Sequence, residues 1–276
     1  DTDYLAVQRI GPKPLRNKTG WFGRDYAASL DGIAVPVIAH EMGQWVAYPD
    51  FSVIDKFTGY LRPGNYEIFR ASARRHGVLD RDHDFALASG RWQVACYKEE
   101  IEAALRTRGM SGYQLLDLHD YLGQGTALVG ILDTFWESKG YATPEAFRRF
   151  NGETVPLARL TRSVLTTRDT FDVPVEIAHY GQRPLAGARP WWRIEDDGGR
   201  AVAQGRFAQL DIPIGKNIPL GRVATDLARL PAPAHYKLVV GLDGTAVAND
   251  WNFWLYPDRV DAAVPAGVLV TQAWPE

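Results

Sequence analysis

The segment "VPVIAHEMGQW", residues 35–45, stays apolar from Val35 to Ala39, then ends on His40-Glu41 with Gly43, Gln44 and Trp45 directly behind. Its β-branched residues, bounded upstream by Gly32, predict a short buried strand. A carboxylate at the C-terminal end of such a strand is desolvated unless it is hydrogen-bonded or paired. For an isolated acid after a strand, the common outcome is a structural role, capping a helix or pairing with an arginine. Here the acid has company. "HEMGQWVAYPD" (40–50) gathers a carboxylate, an imidazole, an amide, an indole and a phenol in one strand–loop junction. His40, Gln44, Trp45 and Tyr48 are close enough in sequence to line one pocket with Glu41.

Downstream, "NYEIFRASARRHG" (65–77) predicts a helix with Asn65 as N-cap and Gly77 past its end. "YKEEIEAALRTRG" (97–109) predicts a second helix, with acids early, arginines late and a stop at Gly109. Its charges are expected to form a solvated face. "GYQLLDLHDY" (112–121) then predicts another strand ending in acids and a histidine. "TALVGILDTFWESKG" (126–140) is expected to be helical, and "TPEAFRRFNG" (143–152) to be a helix with Thr143 as N-cap and Pro144 in the first helical position. Polar residues thus collect at the C-terminal ends of two strands separated by helices, where parallel α/β folds carry their chemistry. From about residue 166 the pattern is all-β. "TFDVPVEIAHYG" (170–181), "RPWWRIEDDGGRAVAQG" (189–205), "HYKLVVGLDG" (235–244) and "NDWNFWLYP" (249–257) predict strands punctuated by Gly-Gly, Asp-Gly and Pro turns. That spacing fits an immunoglobulin-like sandwich, and "VPAGVLVTQAWPE" (264–276) adds a strand-like run.

With 276 residues, 46% of them hydrophobic and 23% charged, the chain has the composition of a globular protein with room for about two domains. No apolar run approaches the roughly 18 residues of a membrane span, and the N-terminus shows no signal-peptide pattern. A formal charge of −2 gives no electrostatic reason to bind nucleic acid or an anionic membrane. The one cysteine, Cys96, is read as a small buried residue, and it leaves the compartment open. Nine Trp and twelve Tyr are the unusual feature, since indoles suit both β-structure and sugar-binding clefts. Trp251 and Trp254 are expected in packing, whereas a surface stripe extending to Trp191 and Trp192 would suggest carbohydrate binding. Asp117, His119 and Asp120 of "DLHDY" (117–121), with His40 and Glu41, would suit a metal, but no HExxH or comparable signature accompanies them. "QGTALVG" (124–130) lacks the lysine of a phosphate-binding loop.

Three of these segments, in this order, resemble glycoside hydrolase family 2, the group of β-galactosidases, β-glucuronidases and β-mannosidases. "VPVIAHEMGQW" resembles its strand-seven nucleophile segment, "GYQLLDLHDY" its barrel strand eight, and the part ending "NDWNFWLYP" its immunoglobulin-like domain. The resemblance, over roughly residues 20–260, implies an α/β plus all-β fold. Residues 1–165 would be the C-terminal part of a (β/α)8 TIM barrel, 166–260 an immunoglobulin-like β-sandwich, and 261–276 a tail or the start of a further domain. It implies a retaining exo-β-glycosidase that hydrolyses a carbohydrate substrate without metal or cofactor. Glu41 would be the nucleophile. His40, Gln44, Trp45, Tyr48, Asp117 and His119 would line the sugar site, joined by Trp21 and Arg24 from "GWFGRDY" (20–26). The family's acid/base is a glutamate following an asparagine, upstream of the nucleophile, yet residues 1–34 contain no glutamate. The expected partner is therefore an upstream part of the same polypeptide, and the isolated chain is expected to be nearly inactive. A periplasmic or secreted location is expected if the parent carries a signal peptide. The alternative is a non-catalytic carbohydrate-binding or scaffold protein.

Overall fold

A computed structural model describes residues 4–10, 12–122, 125, 128–259, 263 and 266–271. The chain is mostly sheet with few helices. Its N-terminal part holds strand β1 (Leu5–Val7), the small hairpin of β2 (Arg9–Ile10) and β3 (Lys13–Pro14), and then β4 (Val37–Met42). Helices α1 (Gly64–Arg75) and α2 (Asp82–Arg106) follow, then β5 (Met110–Leu115) and the short α3 (Pro144–Arg148). β1, β4 and β5 form one sheet in that order, with both pairs parallel. Parallel neighbours need a long crossover, and α1 and α2 supply it. One face of α2 packs Tyr97, Ile101 and Ala104 onto Val37, Ala39 and Met110 of the sheet.

The C-terminal part is built of β6 (Thr154–Ala158), β7 (Val164–Thr166), β8 (Thr170–His179), β9 (Leu185–Ala188), β10 (Pro190–Asp196), β11 (Ala201–Arg206), β12 (Leu210–Ile212), β13 (Gly215–Asp226), β14 (Ala234–Leu242) and β15 (Ala248–Tyr256). Five strands make one sheet in the order β11-β10-β14-β15-β7, three make another in the order β13-β8-β6, and β9 pairs with β12. The two larger sheets share one core: Val173, Val175 and Ile177 of β8 meet Leu238, Val240 and Phe253 of β14 and β15. The pairing reaches back past residue 166 to Thr154, because β6 aligns Val155 with Ala178 of β8.

Several local expectations hold. Thr143 accepts the Ala146 N–H at 3.1 Å, with Pro144 opening α3. Gly77 and Gly109 stand just past α1 and α2 with φ of +67° and +86°, a conformation glycine adopts without steric cost. Others are corrected. Asn65 does not cap α1; Pro63 holds that position, and the Asn65 amide donates to the Gly125 carbonyl at 2.9 Å. Residues 128–140 form a folded loop and no helix. The Asp133 carboxylate accepts the N–H groups of Phe135 (2.8 Å) and Glu137 (3.0 Å), which outcompetes helical pairing there. Gly130 also presses so closely on residues 119–120 that a Cβ would sit 2.2 Å from the His119 carbonyl carbon. Residues 126 and 127 of that span, and 124 of the phosphate-loop comparison, lie outside the described residues. In the tail, residues 266–271 form a turn and coil where a strand was expected, and 264, 265 and 272–276 are outside the described set.

The charges of α2 are not a solvated face. Glu100, Glu102 and Arg106 are buried, because this helix is sandwiched between the parallel sheet and the β-rich part. The Glu102 carboxylate is the hub of that contact. It pairs with Lys98 and, at 3.0 Å, with Arg106, and accepts from the Asn249 amide (2.7 Å) and the Trp251 indole N–H (2.8 Å). Burial alone would push Glu102 up, but the Lys98 ammonium and Arg106 guanidinium outweigh it and hold the carboxyl below the usual range. Removing one partner of a buried pair strands the other, at a cost of about 3–5 kcal/mol. Glu102→Ala should therefore lower the unfolding free energy by about that amount in urea titrations. A depressed carboxyl stabilises the fold fully above the ordinary glutamate range, and that stabilisation is lost as pH falls through the folded value. Glu102→Gln should accordingly flatten the acid side of the stability–pH profile.

Candidate functional site

Period-two alternation buries Val37 and Ala39 of β4 and would bury Glu41 next. The chain avoids this with a bulge: Ala39 faces Tyr113 of β5, but Met42 faces Leu115, so three steps on β4 match two on β5. Glu41 takes a left-handed backbone with φ of +53°, and Met42 fills the inward position with no exposed surface. That conformation is costly for a residue with a Cβ. It is held from both sides by one buried ion pair. Arg16 binds both oxygens of Glu100 at 3.0 Å and donates to the Glu41 carbonyl at 2.8 Å, while Glu100 accepts the Gly43 N–H at 3.0 Å. Gly43 has φ of +88°, and a Cβ there would lie 2.0 Å from the Tyr97 ring.

The Glu41 carboxylate is thereby displayed at the mouth of the sheet. Its Oε2 accepts from the side-chain amides of Gln8 and, at 3.1 Å, Gln44. Its Oε1 faces His40 Nε2 at 3.7 Å. His40 is oriented by Gln114 of β5, whose amide oxygen accepts from Nδ1 at 2.7 Å. The Glu41 side chain keeps 35% of its surface exposed and is held by two neutral amides, with the His40 imidazole alongside.

Asp117 and His119 follow β5, next to this point: the Leu116 N–H donates to the Met42 carbonyl at 2.8 Å. The Tyr97 hydroxyl, whose ring abuts Gly43, donates to the Asp117 carbonyl (3.3 Å) and the Val129 carbonyl (2.8 Å). Asp117 Oδ1 lies 3.6 Å from His119 Nδ1, and the His119 ring sits edge-on to Trp136 with centroids 4.3 Å apart. Trp136 itself is 59% exposed on a left-handed backbone. Asp120 is different. It is buried against Lys139 (2.6 Å), the Tyr66 hydroxyl (3.2 Å) and the Gly130 N–H (3.1 Å), so it ties Gly130 and Lys139 to the segment after β5. Burial pushes Asp120 up and Lys139 down, each against the attraction of the other.

Of the residues expected to line one pocket, Gln44 and His40 lie against the Glu41 carboxylate, while Trp45, four residues on in the chain, makes an edge-on contact with Trp21 at 5.3 Å. Tyr48 turns away into a cluster with Phe51 and Phe85. Arg24 exposes its side chain and offers its carbonyl to Arg106 at 2.8 Å. Gln8, Arg16, Glu100, Gln114 and Trp136 were not anticipated. Among the described residues no group of three or more His, Cys, Asp or Glu is arranged to hold a metal ion.

Residues 169–257 match a family described as a domain of unknown function, DUF8488. No curated protein matches the chain. Among solved structures, it is similar to the exo-chitosanase CsxA of Amycolatopsis orientalis, at 12% identity over 64% of this chain and 20% of that one, with a TM-score of 0.39. A β-glucuronidase of Parabacteroides merdae is similar at 13% identity over 30% of this chain and 11% of that one, TM-score 0.23. A putative β-galactosidase from Bacteroides fragilis is similar at 19% identity over 29% and 13%, TM-score 0.22. The chain spans about a fifth of the exo-chitosanase and less of the other two.

Gly43 is the position where this geometry tolerates no side chain. Gly43→Ala should cost at least about 1–2 kcal/mol from the backbone alone, with the Tyr97 clash added to it. A thermal melt reads the loss, and an unchanged melting temperature would mean the turn is not held as described.

Proposed function

We propose that this chain is the nucleophile-bearing part of a retaining exo-β-glycosidase that removes terminal β-linked sugars, β-galactosidase-like in its chemistry. In this reading β1, β4 and β5 are barrel strands and the β-rich part is an immunoglobulin-like sandwich. The acid/base glutamate comes from an upstream part of the same polypeptide. The observation that carries the proposal is the setting of Glu41: a carboxylate lifted out of a parallel strand by a bulge, open to solvent, and held by the side-chain amides of Gln8 and Gln44. A retaining glycosidase needs such a group ionised and facing the anomeric carbon, with a second carboxyl roughly 5–5.5 Å away to protonate the leaving oxygen. A lysine or arginine clamped on the nucleophile would blunt it, whereas the amides of Gln8 and Gln44 orient it and leave its charge in place.

The step is a displacement. A Glu41 oxygen forms a bond to the anomeric carbon as the bond to the leaving oxygen breaks, and that oxygen departs with the electron pair. Asp117 and His119 hydrogen-bond to sugar hydroxyls, and Trp45 and Trp136 offer apolar ring faces. Turnover also requires water to hydrolyse the glycosyl–Glu41 ester, with the acid/base carboxylate taking that water's proton; without the upstream part, nitrophenyl β-glycosides should be turned over near the background rate.

Formation of the ester with an activated leaving group does not need that carboxylate. Incubation with 2,4-dinitrophenyl 2-deoxy-2-fluoro-β-glycosides of galactose, glucose and mannose should add one fluoroglycosyl unit to Glu41, located by peptide mass spectrometry, and none to Glu41→Gln. Absence of the adduct with all three sugars would contradict the nucleophile assignment and favour a non-catalytic carbohydrate-binding protein.

A further inference from the structure

A cavity of about 580 Å³ lies between α2 and the outer face of β14 and β15, within the range of small-ligand sites. Four indoles line it: Trp21 from the loop before β4, Trp92 from α2, and Trp251 and Trp254 from β15. Trp251 serves the Glu102 hub and carries Lys98 over its ring at 5.0 Å. Trp92 and Trp254 have no such duty. Trp92 is 66% exposed, and Trp254, expected in packing, is instead 42% exposed, its ring tilted 40° to that of His235 with centroids 5.1 Å apart. A single exposed indole needs no explanation. Two from different walls of one cleft, beside a third that lines it, form a set of flat apolar surfaces left uncovered.

The polar lining narrows the ligand. Asp250 is flanked by Arg149 (2.8 Å) and Lys237 (3.7 Å), Lys98 pairs with Glu102, and Glu99 accepts the Phe22 N–H at 2.9 Å. Arg149 and Lys237 share the Asp250 carboxylate, and every cation of the lining has an acid within 4 Å, so the cleft offers donors and acceptors of both signs. An anionic ligand such as a nucleotide or phosphate would have to compete with those carboxylates for each cation. A neutral polyol with apolar ring faces fits both features: C–H faces stack on indole while hydroxyls meet the paired carboxylates and ammonium groups.

We propose that this cleft is a second, non-catalytic binding site for a neutral β-linked oligosaccharide, gripped by Trp92 and Trp254. This goes beyond the role of Glu41 and does not depend on it. Trp21 joins the two places, since it lines the cleft and touches Trp45 in the loop that follows Glu41. A β-1,4-linked chain suits the site because its flat ribbon presents ring faces to both sides.

Calorimetric titration of the 276-residue chain with cellotetraose, mannotetraose and chitotetraose tests it. At least one should bind, and Trp92→Ala and Trp254→Ala should each weaken that binding ten-fold or more. Both side chains are substantially exposed, so melting temperatures should stay near wild type. The proposal is overturned if none of the three sugars binds, or if both tryptophan variants bind like wild type. Loss of binding in Glu41→Gln with retention in the tryptophan variants would also overturn it, placing the sugar at Glu41 instead. Fluoroglycosyl labelling of Glu41 is independent of all these outcomes, so failure of the cleft and failure of the glycosidase reading are told apart.

Discussion

One buried ion pair, Arg16 with Glu100, shapes the candidate site. A buried pair recovers little net stability, because desolvating two charges offsets their attraction. What it gains here is geometry. Its spare donor takes the Glu41 carbonyl and its spare acceptor takes the Gly43 N–H, so the chain is gripped on both sides of a left-handed residue. Without those ties, Glu41 would relax to extended backbone, and alternation along β4 would turn its carboxylate into the core. The bulge and the strain are affordable only because α2 brings Glu100 up beneath the strand.

The same helix joins the two parts of the molecule. Glu100 faces the parallel sheet, while Glu102 and Arg106 face the β-rich part, where Asn249 and Trp251 of β15 complete the coordination of Glu102. Successive turns of α2 therefore fix the candidate site and dock the sheets. The tryptophan-lined cleft opens beside this helix, with Cys96 and Lys98 of α2 in its wall.

Local chemistry made part of this legible in the sequence. The strand ending at His40-Glu41, the Thr143-Pro144 helix start, the glycines that stop α1 and α2, and the hairpin strands around Gly198-Gly199 all depend on near neighbours. The misses depend on distant ones. The helix pattern of residues 128–140 lost to an Asp133 turn and to the close approach of Gly130 to residues 119–120. "YKEEIEAALRTR" looks solvated because the groups that bury Glu102 are 147 and 149 residues away. Gln8 and Arg16 stand 33 and 25 residues from Glu41, and no periodicity or spacing connects them to it. β13 was not anticipated because Pro219 and Gly221 interrupt its pattern, and its pairing with β8 shifts register at those residues. Glu41 itself was legible as a candidate; the device that displays it was not.

The Arg16–Glu100 pair grips the chain on both sides of Glu41 and holds its side chain in the exposed pose. Replacing both partners by apolar residues of similar size, Arg16→Met with Glu100→Met, avoids leaving a lone buried charge and is often tolerated. The decisive measurement is the second-order rate constant for fluoroglycosyl labelling of Glu41 in that double variant, beside wild type, with circular dichroism to verify folding. A folded double variant should be labelled at least ten-fold more slowly than wild type. Labelling at the wild-type rate would contradict the role given to the Arg16–Glu100 pair.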